Sequence, residues 1–341
     1  MPSGYVREQF EESPGNEVAE PKLSTKKLFP PIQSFGPKLG PKPLSRDDEL
    51  RNQDEPLAVV PDAFEPSWEE KSRAYPDLLG WALKHICGPP VTTAGDGIIK
   101  DPDEVAIPVG AHRHAFTAPF GPTGASPLTT QIEACYVDQK TFFKLKGCAC
   151  AELSLETPEE GGAVLSRSGP ALYMAKISDP GLSPAYEALS IRPFIRGNLT
   201  LSWLAGSGTT QDFSLSIANP VEAARSLGIA SKFPDIMEKA NEGPIVVSGS
   251  IPKRQLDPDD YDALVASTGF KALAKWVSDS IIASSYPYKL FVSMANCQYV
   301  DGDVDPLANQ RRHGASFSWK STAATTGSTT ITLVNSTSKY D

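Results

Sequence analysis

YKLFVSMANCQYV, residues Tyr288–Val300, is the stretch that decides the fold, because apolar and polar residues alternate along it with a period of two. The same alternation returns nearer the C-terminus in ASFSWK and TTITLVN. Segments of this kind, rich in Thr, Ser, aromatic and β-branched residues, are typical of antiparallel strands with one covered face. We therefore expect a mainly β protein, a β-sandwich or partial barrel with flanking α-helices. The core residues that we expect are Leu290, Val292, Phe317, Trp319 and Leu333 on strands, with Leu264 and Trp276 on a preceding helix.

Composition and charge are typical of a folded protein that does not bind nucleic acid tightly. Of its 341 residues, 40% are hydrophobic and 21% are charged, and no apolar run is long enough to predict a membrane span. The N-terminus has no apolar signal segment, and five scattered cysteines fit reduced thiols, so we expect synthesis in a cytoplasm. The net charge of −9 argues against binding by phosphate neutralisation but permits nucleic acid to pass without being held.

Residues 1–66 differ from the rest of the chain, because prolines recur along them with Lys and Glu between. Proline fixes φ and removes a hydrogen-bond donor, so this segment is expected to be an extended arm without helix or central strand. One interpretation is a disordered tail, and the other is an arm that orders against a neighbouring subunit. The apolar residues that would anchor such an arm are Leu28, Phe29, Ile32, Phe35 and Leu39.

Four segments predict helices. The strongest lies between residues 74 and 88, where YPDLLGWALKHICG has an apolar stripe and ends at Gly88. Residues 220–228 and 233–241 predict two short helices. Residues 257–281 predict a long one that opens on an acidic cluster, where the helix dipole favours negative charge.

The remaining pattern divides the chain into two strand-rich blocks, residues 67–190 and 191–341, separated by a Pro- and Gly-interrupted connection at 178–198. In each block an extended piece, a helix and strands follow one another in the same order. Residue identity between the blocks is low, so duplication and its absence both stay open. Within the second block, the acidic DGDVDP segment is expected to be a hairpin turn, and Thr326–Gly327 a second hairpin tip.

No motif in the sequence carries catalytic or cofactor chemistry. The pairs His112/His114 and Cys148/Cys150 could each share a strand face, but buried thiols and solvated histidines explain them better than zinc does. The acidic triplet beginning at Asp301 lacks the glycine position and the final carboxylate of a calcium loop. We therefore expect no enzyme, no metal and no cofactor.

The order of features resembles the tail tube, or major tail, proteins of long non-contractile-tailed bacteriophages. The residues that carry this resemblance are a strand TTQDFSLSIANP, a strand GPIVVSGSI, the stretch YKLFVSMANCQYV and a closing TTITLVNS, with SPLTTQIEACYV and TFFKLKGCACAELSLET in the first block. It covers about residues 57 to 336. The long Pro-rich arm departs from the family pattern.

The resemblance implies a virion protein whose β-sandwich domains form six-domain rings that stack into a tube for DNA ejection. Three chains would supply six domains if the chain is duplicated, and six chains if it is not. It also implies tape-measure, tail-terminator and distal tail proteins as partners. The acidic residues expected to face the bore are Asp301, Asp303, Asp305, Glu133, Asp138, Glu152 and Glu156. The alternatives are another virion β-sandwich protein, such as a capsid decoration or minor tail protein, and a non-viral β-sandwich binding module.

Overall fold

The computed structural model describes residues 4–15, 32–44, 60–120, 127–136, 140–158, 160–178, 191–204, 212–226, 231–239, 244–253, 258–283, 285–305, 314–322 and 328–340. The described part is mainly β, as the alternation predicts, with two short α-helices.

The helices are α1 (Pro76–Cys87) and α2 (Pro258–Val265). The strands are β1 (Gly4–Phe10), β2 (Ile32–Lys38), β3 (Pro41–Leu44), β4 (Val60–Phe64), β5 (Ser67–Arg73), β6 (Val91–Ala94), β7 (His112–Thr117), β8 (Thr129–Tyr136), β9 (Thr141–Ala149), β10 (Glu152–Thr157), β11 (Val164–Pro170), β12 (Tyr173–Ile177), β13 (Leu199–Ser202), β14 (Phe213–Ala218), β15 (Val221–Ala224), β16 (Ile236–Lys239), β17 (Val246–Lys253), β18 (Phe270–Ala283), β19 (Tyr286–Asp305), β20 (Gly314–Ser321) and β21 (Thr330–Asn335).

One large antiparallel sheet contains most of the strands in the described residues. Its main path runs β2-β5-β11-β10-β14-β17-β20-β19-β21-β7-β6, and β18 and β13 branch from β19. A smaller sheet has the order β1-β8-β9-β12, and the pairs β15-β16 and β3-β4 stand apart. Strands from both predicted blocks lie in the large sheet, since β10 pairs with β14 and β7 with β21.

Strand β19 is the junction of the large sheet. One of its edges pairs with β18 from Tyr286 to Cys297, and β20 and β21 lie end to end along its other edge. This arrangement corrects two turn predictions. The DGDVDP segment extends β19 as far as Asp305 instead of forming a turn. Thr326–Gly327 lies outside the described residues, and the strands on either side of it pair with β19, not with each other.

The hydrophobic core lies on the covered face of the large sheet. The side chains of Trp276, Phe317 and Trp319 are fully buried there, together with those of Leu290, Val292 and Leu333. Leu264 is partly buried and packs against the same cluster. Helix α1 is buried almost all round and packs into this core, as its apolar composition predicts.

The prediction of a long helix over residues 257–281 is wrong beyond Val265, because Phe270–Ala283 is strand β18. Residues such as Ala, Leu and Lys favour a helix locally, but FKALAKWV also alternates with a period of two, and Trp276 reaches the core only in that arrangement. Pairing with β19 along the whole strand overrides the helix propensity.

The two short helices predicted at 220–228 and 233–241 are also wrong. Their described residues form the strand pair β15–β16, in which Val221 and Met237 are buried against Ala149 and Leu172. Isolated helices of this length have little stability of their own, so burial of two apolar side chains decides the outcome.

The proline-rich segment, residues 1–66, contributes four described strands to this chain's own fold, β1 to β4, and β3 pairs with β4. Strand β1 pairs with β8 at one edge of the small sheet, and β2 pairs with β5 at one end of the large sheet. Edge positions suit a segment that lacks donors at its prolines. Ile32 and Phe35 are partly buried against the chain's own core, and Leu39 is 37% exposed. Leu28 and Phe29 lie outside the described residues.

A buried charge cluster joins the small sheet to the large one. Arg167 on β11 donates hydrogen bonds to Glu8 on β1 at 2.8 Å and to Glu70 on β5 at 2.7 Å, and all three side chains are almost fully buried. Burial acts against the charged forms. The two carboxylates nevertheless raise the pKa of Arg167, and Arg167 holds the pKa of Glu8 below its usual value. Burial raises the pKa of Glu70.

His85 of α1 lies beside this cluster and stays uncharged. Its Nε2 donates to the Cys148 carbonyl at 2.9 Å, its ring stacks on Trp68, and its Nδ1 lies 3.5 Å from the Glu8 carboxylate. Burial lowers the pKa of His85 to about 4, against the opposing attraction of Glu8. The interface between the sheets therefore holds a neutral imidazole at neutral pH.

We predict that His85 makes the protein sensitive to acid. Between pH 6.5 and about 4 the unfolded chain binds a proton at His85 that the folded chain excludes, so unfolding becomes easier as the pH falls. This contribution is absent above pH 6.5 and reaches about 3 kcal/mol of lost unfolding free energy near pH 4. Urea denaturation across this pH range measures the loss.

The matched control is His85→Gln, whose amide can still donate to the Cys148 carbonyl but does not titrate. Its unfolding free energy should fall by about 3 kcal/mol less than that of the wild type over the same range. Parallel pH profiles for the two proteins would contradict the assignment.

Candidate functional site: a hydroxyl-lined sheet face

Over five strands of the large sheet, one face is covered by the core and the other is lined by serine hydroxyls. On β11, β10, β14, β17 and β20 the residues that alternate with the buried ones are partly or fully exposed. The serines at these positions are Ser166, Ser168, Ser154, Ser214, Ser216, Ser248, Ser250, Ser316 and Ser318. Cross-strand pairing places them in rows, with Ser154 opposite both Ser166 and Ser216. The result is a surface rich in short hydroxylated side chains across five neighbouring strands, called the serine face below.

Some of these hydroxyls form hydrogen bonds with one another, and exposed hydroxyls can also bond to water. Ser214 Oγ lies 2.8 Å from Ser250 Oγ and accepts a hydrogen bond from the Ser250 backbone N–H at 2.9 Å. Because a serine hydroxyl both donates and accepts, this face needs no fixed external partner. On the described residues of these five strands, the face has neither an apolar patch nor a cluster of guanidinium groups that would hold a ligand tightly.

Carboxylates stand at intervals on the same face. Glu152 and Glu156 of β10 are exposed, and so is Asp301 of β19, opposite Ser318. Lys71 on β5 and Lys320 on β20 also lie on this side, so the charges are mixed. The face is therefore weakly charged and hydroxylated, not strongly acidic.

The other acidic residues expected in a bore fall in different places. The backbone of Asp303 and Asp305 belongs to β19, with Asp303 opposite Ser316 and Asp305 opposite Gly314. Asp138 lies outside the described residues. Glu133 does not fit the expectation, because it is 1% exposed and forms ion pairs with Arg7 and, at 3.6 Å, with Lys144.

The sequence carries a signal for the serine face that alternation alone does not reveal. The triplet Ser-x-Ser occurs at residues 166–168, 214–216, 248–250 and 316–318, once in each of four strands of the face. The buried charge cluster has a weaker signal. Glu70 and Arg167 lie at strand positions whose side chains point to the buried face, where an apolar residue is expected. The residues two positions before them, Trp68 and Leu165, point to the same face.

The pairs considered for a metal have structural roles. His114 is buried, accepts a hydrogen bond from Thr92 Oγ1 at Nδ1 and donates from Nε2 to Asn335 Oδ1 and the Thr337 carbonyl; burial lowers its pKa. No group of three metal-binding side chains occurs in the described part of the chain. All five cysteines are buried and form no disulfides, and burial raises the pKa of Cys150 and Cys297 to about 12. Among the described helices, none is long and apolar enough to cross a bilayer.

The geometry of the serine face does not by itself identify a function, but comparison with known protein families does identify a family. The family described as phage tail tube protein matches residues 18–268 of this chain. The chain belongs to the phage tail tube protein family. That match extends across both predicted blocks and includes four of the five strands with the serine face. No curated protein matches the sequence.

Membership makes the protein a structural component of a phage tail, in a family that is not a family of enzymes. This favours the tail over a capsid decoration role and over a non-viral binding module. The serine face is thus a surface of a tail tube protein, and its function depends on what it faces.

We predict that the serine face is dispensable for folding whereas the opposite face is not. Phe317→Ala removes a fully buried ring and should lower the unfolding free energy by about 3–5 kcal/mol. Ser318→Ala, on the next residue and the other face, should change it by less than about 0.5 kcal/mol. Urea denaturation of both variants tests this pair, and equal losses would show that both faces are covered.

Proposed function

We propose that the protein self-assembles into rings that stack into the tube of the phage tail, and that the serine face of the large sheet lines the bore through which genomic DNA is ejected. The family match supports a tube. The observation that carries the assignment of the face is its two rows of hydroxyls, Ser166–Ser154–Ser216–Ser248 across four strands and Ser214–Ser250–Ser318 across three.

A wall that conducts DNA must not hold it. DNA is retained where Lys and Arg neutralise phosphates and release counterions, and each such pairing makes binding more salt-dependent. On the serine face, hydroxyls occupy many of the positions where such pairings would have to form, and lysine occupies two, Lys71 and Lys320. Water competes with serine for phosphate oxygens, so the duplex meets a hydrated surface.

The carboxylates of Glu152, Glu156 and Asp301 add repulsion at short range. At physiological salt, charge effects reach about 8 Å, so only groups on the wall itself act on the passing duplex. Asp303 and Asp305 continue this series along β19 and are proposed to contribute. The overall charge of −9 has the same sign.

The ring is proposed to contain six tube domains, from three chains or from six. Rotation of one heterologous contact closes a ring, and a second contact along the axis builds the stack. Tape-measure, tail-terminator and distal tail proteins are proposed as partners, and the host cytoplasm as the place of synthesis. The alternative within the tail, a minor tail protein, would share the fold without forming long tubes.

Electron microscopy of the purified full-length protein tests assembly. Rings or tubes with a central hole are expected, in which the β-rich wall surrounds the hole. Compact single molecules at every protein concentration would contradict the proposal.

We predict that Glu152→Lys, Glu156→Lys and Asp301→Lys together leave tube assembly intact but make DNA stick in the bore. All three residues are exposed, so folding should be unaffected. Retention of DNA should weaken steeply as salt is added, and on a logarithmic plot the slope should be near −0.9 for each phosphate that a new lysine neutralises. Infectivity of virions carrying the variant and DNA retention by tubes are the two readouts.

The matched control is Glu104→Lys, Glu222→Lys and Glu238→Lys, which makes the same change in net charge at exposed residues off the serine face. This control should eject DNA as the wild type does. Equal retention by both variants would show that net charge, and not the face, is responsible.

A further inference from the structure

The N-terminal strand β1 lies at an edge of the small sheet, yet its polar side chains are buried. It pairs with β8 on one side, and among the described strands none pairs with its other side. The buried polar residues of β1 and of the position after it, each at most 9% exposed, are Arg7, Glu8, Gln9 and Glu11. Buried charges need compensating partners, so the groove beside β8 that holds β1, called the β1 groove below, must supply them.

Arg7 completes a row of charges across three strands of the small sheet. It lies directly opposite Glu133 on β8, and Glu133 lies directly opposite Lys144 on β9. Arg7 donates a hydrogen bond to one oxygen of the Glu133 carboxylate, and Lys144 Nζ lies 3.6 Å from the other oxygen. The row has two cations and one anion. Glu133 and Lys144 therefore form a neutral pair without Arg7.

Glu8, the next residue, completes a second triad on the opposite side of β1. Arg167 on β11 lies directly opposite Glu70 on β5 in the large sheet and donates to it at 2.7 Å. Glu8 accepts one hydrogen bond from Arg167 at 2.8 Å and another from Thr130 Oγ1 at 2.9 Å. This triad has two anions and one cation. Arg167 and Glu70 therefore form a neutral pair without Glu8.

These two pairs balance the charge of the β1 groove before the strand enters it. Removing one partner of a buried ion pair ordinarily leaves an uncompensated charge, which is strongly destabilising. The loss of β1 as a whole removes one cation and one anion, and it leaves two neutral cross-strand pairs, each within a single sheet. The loss of β8 would instead leave Arg7 beside Lys144. Strand β1 is thus the member of the small sheet that can leave without exposing an imbalance.

Side chains at the end of β1 fix its position along the groove. The ring of Phe10 packs on Trp81 of α1 at a centroid distance of 4.3 Å. The Glu11 carboxylate accepts hydrogen bonds from Thr129 Oγ1 at 2.8 Å and from the Gly147 N–H at 2.9 Å. Gly147 has a φ of +63°, a left-handed conformation that favours glycine. The register of β1 is therefore set by side chains as well as by the ladder with β8.

We propose that the β1 groove is a binding site for an extended peptide, and that the chain's own N-terminal strand occupies it as a separable ligand. Pairing of the main chain with β8 holds such a strand, as in other cases where a peptide adds to a sheet edge. The charge pattern selects it, because the site requires a cation facing Glu133 and, at the next residue, an anion facing Arg167. The proposal concerns the single chain, so its test is independent of the proposed ring and bore.

The strand is expected to dock on a core that has already folded. It lies at one end of the chain and can leave without breaking any strand pairing other than its own with β8. Segments of this kind open as a unit at a free energy below that of global unfolding.

Hydrogen exchange of the full-length protein, resolved by residue, tests whether β1 is separable. The amides that join β1 to β8 should exchange together, at least about tenfold faster than those that join β8 to β9. Exchange of both sets at one rate would overturn the proposal, because β1 would then open only with the rest of the small sheet.

A cleaved form of the full chain tests the binding site directly. Residues 20–26, outside the described part, are replaced by a protease recognition sequence, and the folded protein is cut there. A fluorescent synthetic peptide of residues 1–15 should then replace the cut N-terminal segment without a change in near-ultraviolet circular dichroism. A segment that leaves only when urea unfolds the protein, or whose departure abolishes that signal, would show that β1 is an integral part of the core and would overturn the proposal.

The matched control is a peptide with Arg7→Glu and Glu8→Arg, which keeps the length, the composition and the net charge. It places a carboxylate opposite Glu133 and a guanidinium beside Arg167, so it should compete at least about a hundredfold more weakly than the natural peptide. Equal competition by the two peptides would show that backbone pairing alone selects the strand, and would overturn the charge-based recognition.

Discussion

One strand, β19, pairs with three other strands, and the architecture depends on these pairings. Its first part is flanked on both edges, by β18 and by β21, whereas its last part is paired on one edge with β20. Backbone N–H and C=O groups must be paired or solvated, so a strand that outlasts its neighbour presents an unsatisfied edge. The sheet forks at β19, and the fork separates the part of the strand that has described partners on both edges from the part that has one on a single edge.

The two sides of the large sheet divide the physical tasks between them. The covered side has aromatic rings such as those of Phe317 and Trp319, which supply the burial that stabilises the fold. Where Arg167 enters this side, its charge is paired with those of Glu8 and Glu70. The open side has hydroxyls at the alternating positions, and we expect stability to depend little on them. A surface of this kind can be shaped by its use in the tail without unfolding the protein.

Alternation predicted the strands well because a sheet with one covered face imposes a period of two on its sequence. The prediction failed where the apolar residues of a segment fit both the helical period and the strand period of two, as in FKALAKWV. Pairing with β19 decides that this segment is a strand. The bore residues were harder to predict for a related reason. Glu133 and Glu152 both lie on predicted strands, but the first faces Arg7 across a strand pair and the second faces water. Sequence alone does not show which strands pair with each other at their edges. The burial of Glu133 and the extent of the serine face therefore become visible only from the strand order.

The buried thiols have a consequence for the life of the particle. A thiolate that is exposed to air oxidises and can link neighbouring proteins. In this chain each sulfur is enclosed, and the raised pKa of Cys150 and Cys297 keeps those sulfurs protonated and unreactive. Oxidation in air should therefore leave the cysteines of this tail protein unmodified for as long as the fold keeps them buried.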